Sequence, residues 1–324
     1  MELSLERVVR RFAAAQSTAH GVLKERESIE VTLVDFDGAY GRGEAAPLES
    51  FDGVSIERAL EALEAHRIAL AGVDAAGARD ACRASDPLAQ ALAAIDVALW
   101  DLAGRRAGRP IAALLAPQPA GAVEVNASVA DLANADAASA AAAAVAAGYR
   151  TIKLKVGTGE DLARIRAVRA AIGPGVALRI DANGAWSLAE AERVLNAAGP
   201  LELVEEPVHG AGELTALRAL VAAKLAVDES AGGVADAVAL KLSRSGGITG
   251  LLADAARARA AGMDVYLTST YEGPIGVAAA LHVAAALAPL PACGLATLEL
   301  FEEPSPLPVR DGRIAVPSGP GLGI

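Results

Sequence analysis

The sequence predicts an α/β protein in which a barrel of parallel β/α units follows a smaller α+β domain. Three observations predict it. From residue 122 onward, short apolar stretches alternate with helical ones eight times, a rhythm that implies a parallel sheet closed on itself. The first 118 residues lack that rhythm and run strands first, helices afterwards. Ionisable residues gather at the C-terminal ends of the apolar stretches, where a barrel of this kind carries its active site.

In the first part, "SIEVTLVDFDGAYGRGEAAP" alternates as a half-buried strand does, with Ile29, Val31 and Leu33 on one face, and then enters an Asp-Gly turn and a glycine-rich exit. Residues 55–71 and 86–103 carry apolar residues at helical spacing; Leu88, Leu92, Ile95 and Leu99 make one face. "APQPAG" at 116–121 reads as a linker. Then come the eight expected strands: "VEVNASV", "YRTIKLKV", "VALRIDAN", "LELVEEP", "KLAVDES", "AVALKLSRS", "DVYLTST" and "LATLELF". The alanine-rich stretch "AASAAAAAVAAG" is a helix, since alanine is the best helix former and too weakly hydrophobic to span a membrane. Between "VDES" and "ALKL" the chain is too short for a crossover helix, so a glycine-rich loop or a single turn covers the barrel there.

Composition narrows the function. With 53% hydrophobic and 21% charged residues the chain has the make-up of a well-packed soluble protein. A net charge of −11 without basic clusters argues against nucleic acid. The N-terminus "MELSLERVVRRF" has no apolar core of the kind a signal peptide needs, and no stretch reads as a membrane span, which points to the cytoplasm. Cys82 and Cys293 fit neither a metal spacing nor a disulfide framework. None of His20, His66, His209 and His282 forms a pair at metal spacing, and His282 lies in an apolar helix; His20 is the one histidine expected to reach substrate, from a loop folding over the mouth.

Lysine usage is the sharpest signal. Of 29 basic residues only Lys24, Lys153, Lys155, Lys224 and Lys241 are lysines, and two of them fall in "TIKLKVG". Arginine replaces lysine readily on a solvated surface, but not where an amine must lose its proton. Lys153 and Lys155 share one strand face. The next strands end in Asp181 and Asn183, in Glu205 and Glu206, and in Asp228 and Glu229, and the sixth carries Lys241. Taken singly, "KLK" could be a solvated edge and "DES" a helix cap. Together, carboxylates on three consecutive strands repel one another unless a cation sits between them, and such an oxygen set suits Mg²⁺.

The motifs "KLK", "DAN", "VEEP", "VDES" and "ALKL", in this order, resemble those of the enolase superfamily in its muconate-lactonizing-enzyme-like subgroup, and "GRGEAAPL" resembles its N-terminal capping domain. The resemblance implies a modified TIM barrel of (β/α)7β type over residues 119–305, an α+β capping domain over 1–118, and a tail, 306–324, returning to the capping domain. It implies Asp181, Glu205 and Asp228 as ligands of Mg²⁺, with Mn²⁺ as a substitute. Lys155 is then the base that removes a proton alpha to a carboxylate, Lys153 its electrostatic tuner, and Lys241 a second acid/base or a cation against the enediolate. The short segment after Asp228 departs from the family pattern, where a longer helix is usual.

Within that subgroup the enediolate has several fates. An Asp-x-Asp on the eighth strand, typical of dipeptide epimerases, is absent; Glu299 stands alone there. "STAHGVLKERES" and "GLATLELF" resemble o-succinylbenzoate synthases. The expected reaction is therefore water loss from 2-succinyl-6-hydroxy-2,4-cyclohexadiene-1-carboxylate, a step of menaquinone biosynthesis. Dipeptide epimerization or N-acylamino acid racemization is the alternative, and a non-catalytic binding protein on the same fold is the remote one. Substrate contacts are expected from Asn183, from Ser245 and Gly246 in "SRSGG", and from Thr268, Ser269 and Thr270 in "LTSTYEG". Many barrels of this kind self-associate, so a homo-oligomer fits the sequence.

Overall fold

In the computed structural model, which describes residues 1–18, 21–130, 133–228 and 234–324, the chain begins with an antiparallel three-stranded sheet. Strand β1 (Glu2–Thr18) pairs with β2 (Gly21–Val34), and β2 pairs with β3 (Tyr40–Ala45) across the turn at Asp35–Gly38. Ile29, Val31 and Leu33 are buried on one face, as their alternation requires. Five helices follow: α1 (Glu49–Asp52), α2 (Ile56–Ala69), α3 (Ala75–Ser85), α4 (Ala89–Ala107) and α5 (Ile111–Leu115). Strand β3 lies directly on the backbone of α4: a Cβ on Gly41 or Gly43 would run into the carbonyl oxygens of Ala98 and Ala94. That contact explains the glycines of "GRGE".

After β4 (Ala122–Glu124), the barrel is built from β5 (Ala127–Val129), α6 (Asn134–Ala146), β6 (Thr151–Lys155), α7 (Asp161–Ile172), β7 (Ala177–Asp181), α8 (Leu188–Ala197), β8 (Leu203–Glu205), α9 (Ala211–Arg218), β9 (Leu225–Val227), β10 (Ala237–Leu240), α10 (Ile248–Ala260), β11 (Asp264–Leu267) and α11 (Pro274–Leu287). Seven of these strands form one curled parallel sheet in the order β5 to β11. No helix lies between β9 and β10 among the described residues; most of that connection, residues 229–233, falls outside them. A third small sheet joins β12 (Val309–Arg310) and β13 (Arg313–Ala315) to β4 beneath the barrel.

Two expectations need correction. "VEVNASV" is not one strand: β4 pairs with β13 outside the barrel, and only β5 enters the barrel sheet. "LATLELF" is not a strand but a 3-10 helix, Ala296–Leu300. Leu298 within it and Leu295 and Phe301 on either side are buried, and a spacing of three is the 3-10 period, whereas a strand would bury every second residue. The eighth barrel position is filled by two residues. Cys293 and Gly294 bridge to Val125 and Thr268, and the Ser269 and Asn126 amides donate to the carbonyls of Gly294 and Cys293 at 3.0 Å each. Beyond that closure the chain turns into the mouth.

Two buried carboxylates from the N-terminal helices and sheet pin the cap to the barrel. Glu44, on β3, accepts from the Gly273 and Gly276 amides at 2.8 and 2.9 Å, at the start of α11. Asp96, on α4, accepts from the Thr249 amide at 2.9 Å, at the start of α10. Both acids meet orphan N–H groups at the positive end of a helix, which compensates their burial. No described helix is long and apolar enough to cross a membrane.

Candidate active site

The barrel registers set the candidate residues side by side. Lys155 pairs with Asp181 across β6 and β7, and Asp181 pairs with Glu205 across β7 and β8. Asp228 follows β9 and Lys241 follows β10. Asn183 and Glu206, immediately beyond two of the strands, hold φ of 46° and 42°, a left-handed bend that turns the chain sharply at the mouth. Glu206 thereby splits from its neighbour: its carboxylate accepts from the Asp228 amide at 2.9 Å, bracing the backbone while Glu205 faces the barrel axis.

Ion pairs knit the constellation together. Lys153 Nζ lies 2.8 Å from Asp181 and 2.6 Å from Glu205. Lys155 Nζ donates to Asp181 Oδ2 and to Asn183 Oδ1, each at 2.6 Å. Lys241 Nζ contacts Asp228 Oδ1 and sits 4.8 Å from the centre of the Phe51 ring. Arg244 covers the same ring at 5.5 Å and donates to the Asp228 carbonyl at 3.1 Å. Tyr266, inside the barrel, donates its hydroxyl to Glu205 Oε2 at 2.7 Å.

Burial sets the electrostatics. It opposes charge on every member, and the partners decide the outcome. Burial alone would lower the Lys153 ammonium, but Asp181, Glu205 and Asp228 outweigh it and hold it above its usual range. Burial would raise Asp181, yet Lys153 and Lys155 hold that carboxyl well below the usual range; Asp228 is likewise kept low against burial by Lys241. Glu205 goes the other way: burial, only partly offset by Lys153, keeps it above the carboxylate range.

These side chains line a cavity of about 290 Å³ at the C-terminal mouth. Lys153, Lys155, Asp181, Asn183, Asp228 and Lys241 all border it, as do Thr268, Ser269 and Thr270. The hydroxyls of Ser269 and Thr270 donate to Glu272, at 2.5 and 2.9 Å, while Thr268 Oγ1 is buried without a partner. Ser245 and Gly246 are elsewhere: they form the turn into α10, with Gly246 facing Ala89 and Leu92 of α4. His20 lies outside the described residues. A larger cleft of about 830 Å³ opens at the opposite end of the barrel, but none of the lysines or strand-end carboxylates borders it.

Sequence reasoning missed several lining residues. Leu48 and Phe51 come from the cap, in "APLESF", and no periodicity marks them. Asn126 precedes β5 and Ser128 stands in its middle, level with Lys153, so a rule that collects residues at strand ends passes over both. Glu299 reaches the cavity only because its segment is a 3-10 helix.

Among the described residues no three His, Cys, Asp or Glu side chains are gathered tightly enough to enclose a metal ion. Ammonium groups occupy the space between the acids instead. The donor set nevertheless fits a divalent cation. Asp181 and Glu205 are 1% exposed and Asp228 is 9% exposed, one acid per consecutive strand, and three carboxylates at such burial require positive charge among them.

Comparison with known proteins places this geometry. Residues 136–324 match the family model described as "Enolase C-terminal domain-like", and residues 5–116 match "Mandelate racemase / muconate lactonizing enzyme, N-terminal domain". The chain is 37% identical to an L-Ala-D/L-Glu epimerase of Clostridium acetobutylicum over 60% of each chain. It is 30% identical to a hydrophobic dipeptide epimerase of Enterococcus faecalis over 83% of this chain and 82% of that one. It is 40% identical to an o-succinylbenzoate synthase of Mycobacterium tuberculosis over 52% of this chain and 57% of that one. The matched region thus spans less than two thirds of the first and third of these relatives. Among solved structures, the dipeptide epimerase of Enterococcus faecalis V583 complexed with Mg and L-Leu-L-Tyr superposes with a TM-score of 0.92 at 26% identity, covering 99% of this chain and 98% of that one.

Proposed function

The chain belongs to the enolase superfamily, in its mandelate racemase/muconate lactonizing enzyme subgroup, and we propose that it removes the proton alpha to a carboxylate by way of an enediolate, acting as an o-succinylbenzoate synthase. Asp181, Glu205 and Asp228 are the residues that would hold Mg²⁺. Bound there, the ion supplies positive charge to offset the second negative charge that deprotonation creates.

The difference between the two mouth lysines carries the synthase reading. Lys155 is 29% exposed and open to the cavity, held by Asp181 and Asn183; Lys241 is 6% exposed, clamped by Asp228 and packed on Phe51. One accessible amine and one fixed cation suit a one-base elimination. Lys155, as the free amine, accepts the proton from the ring carbon that bears the carboxylate. The C–H electron pair forms the enediolate, which collapses to a ring C=C bond as the hydroxyl group departs. Lys155 returns its proton to the leaving oxygen, so substrate becomes aromatic product plus water, with no net proton taken up. Lys241 keeps its charge throughout and faces the anionic intermediate. Phe51 and Leu48 from the cap narrow the cavity and exclude water beside it.

A second reading has its own support. Lys155 ends β6 and Lys241 follows β10, four positions apart in a ring of eight, hence on opposite sides of the mouth. Opposed bases suit an epimerase, and Glu299 offers a single carboxylate for a substrate ammonium. The decisive assay incubates the protein with Mg²⁺ in deuterated water, with the cyclohexadiene substrate or with a dipeptide panel including L-Ala-L-Glu. We expect dehydration of the cyclohexadiene. Rapid α-deuteration of a dipeptide without that dehydration would replace the synthase by the epimerase.

A further inference from the structure

The interior of a (β/α) barrel is normally filled by layers of branched apolar side chains. Here a polar column replaces part of that filling. Arg179, on β7, is fully buried, bonded to Glu202 at 2.8 and 3.2 Å and to the Ala292 carbonyl at 2.6 Å. Its guanidinium lies 5.0 Å from the centre of the Tyr266 ring. Tyr266, on β11 and 1% exposed, passes its hydroxyl to Glu205 Oε2. A phenol at this depth satisfies a buried carboxylate oxygen that no water reaches, and an apolar residue there would leave that oxygen unpaired.

We propose that Tyr266 is a positioning residue for Glu205. By occupying Oε2 from below, it leaves Oε1 as the oxygen turned toward the mouth, where Lys153 Nζ now lies at 2.6 Å. Glu205 would thereby offer Oε1 to the ion, and its carboxylate is kept from swinging down the barrel. Arg179, stacked on the ring and anchored at Glu202 and Ala292, holds the phenol in that orientation. The inference rests on the metal role proposed for Glu205, and groups that orient a ligand in this way typically contribute ten- to a hundredfold, as an order of magnitude, to metal affinity.

The test is Tyr266→Phe, which removes one oxygen and keeps the ring. Mg²⁺ is titrated calorimetrically into substrate-free protein. We expect Mg²⁺ affinity to fall by roughly tenfold or more, with kcat at saturating Mg²⁺ far less affected than the Mg²⁺ concentration for half-maximal rate. Tyr266→Phe binding Mg²⁺ as tightly as the parent overturns the proposal and leaves the functional reading standing. A parent protein that binds no Mg²⁺ overturns both. Should Tyr266→Phe fail to fold, a Tyr149→Phe/Tyr271→Phe background, which removes the tyrosines bordering the cavity, gives a second readout. Mg²⁺ should then produce an ultraviolet difference band from Tyr266, and a flat difference spectrum under saturating Mg²⁺ refutes the coupling.

Discussion

Replacing Lys155 by arginine separates charge from proton transfer. The guanidinium keeps the positive charge that Asp181 and Asn183 contact at 2.6 Å, so the electrostatic balance of the mouth survives, but it cannot give up a proton. General-base catalysis contributes roughly 10²- to 10⁴-fold in rate. At about 1.4 kcal/mol per tenfold, that is about 3 to 6 kcal/mol of barrier. The planar fork is also bulkier than an ammonium wedged between two acceptors, which adds to the loss. Lys155→Arg and Lys155→Ala should therefore be equally inactive, each down by at least about two orders of magnitude in turnover.

The comparison needs lysines without a proposed role. Lys224 is 62% exposed beside Asp264, and Lys24 is exposed on β2, so Lys224→Arg and Lys24→Arg should be close to neutral. The assay is α-proton exchange or dehydration at saturating Mg²⁺, with circular dichroism to confirm the fold. Lys155→Arg retaining parental turnover would refute the base assignment and, with it, the inference drawn from scarce lysines.

Two further outcomes follow from the same geometry. Asp181→Asn, Glu205→Gln and Asp228→Asn should each abolish Mg²⁺-dependent turnover with the fold retained; full activity at limiting Mg²⁺ removes that residue from the ligand set. Acidification should destabilise the protein through His282: its Nδ1 accepts from the Ala112 amide at 3.2 Å, so Nε2 carries the proton toward the Leu322 carbonyl at 3.1 Å, and a second proton would face an N–H. Burial, against the Leu322 acceptor and the Asp101 charge, holds this imidazole below its usual value, so its contribution is complete above about pH 6.5 and is lost as pH falls through the lowered folded value. The slope of Tm between neutral and mildly acidic pH should flatten in His282→Gln, and an unchanged slope would assign the acid sensitivity elsewhere.

How much of this was legible in the sequence depends on what each residue answers to. Strand ends from β6 to β10 were legible because chemistry and fold agree there. The apolar run places the strand, and the acid or lysine that breaks it marks the mouth. Segments governed by tertiary contacts were not. The strand β1 buries little of its own surface, so its pattern is faint. "LATLELF" has a strand-like composition, yet Cys293 and Gly294 already complete the barrel ladder, and the chain must bend immediately afterwards. Gly294 permits this closure: a Cβ there would stand 3.0 Å from Thr268 Cγ2. The polar interior column was illegible for a related reason. Arg179 and Tyr266 sit in "LRID" and "VYLT" as ordinary strand residues, and only closure of the barrel brings them together at 5.0 Å.

The same closure accounts for the charge pattern of the mouth. At the ends of β7 to β9 the barrel gathers Asp181, Glu205 and Asp228, and Lys153 and Lys155 on β6 and Lys241 after β10 flank them on either side. Each of these lysines pairs with one or two of those acids. A divalent cation taken up by Asp181, Glu205 and Asp228 would compete with those ammonium groups for the same oxygens. Such an ion would draw Asp181 away from Lys155 and Lys153, both of which now contact it. The charge proposed to offset the enediolate and the release of Lys155 from Asp181 would then come from the same binding event.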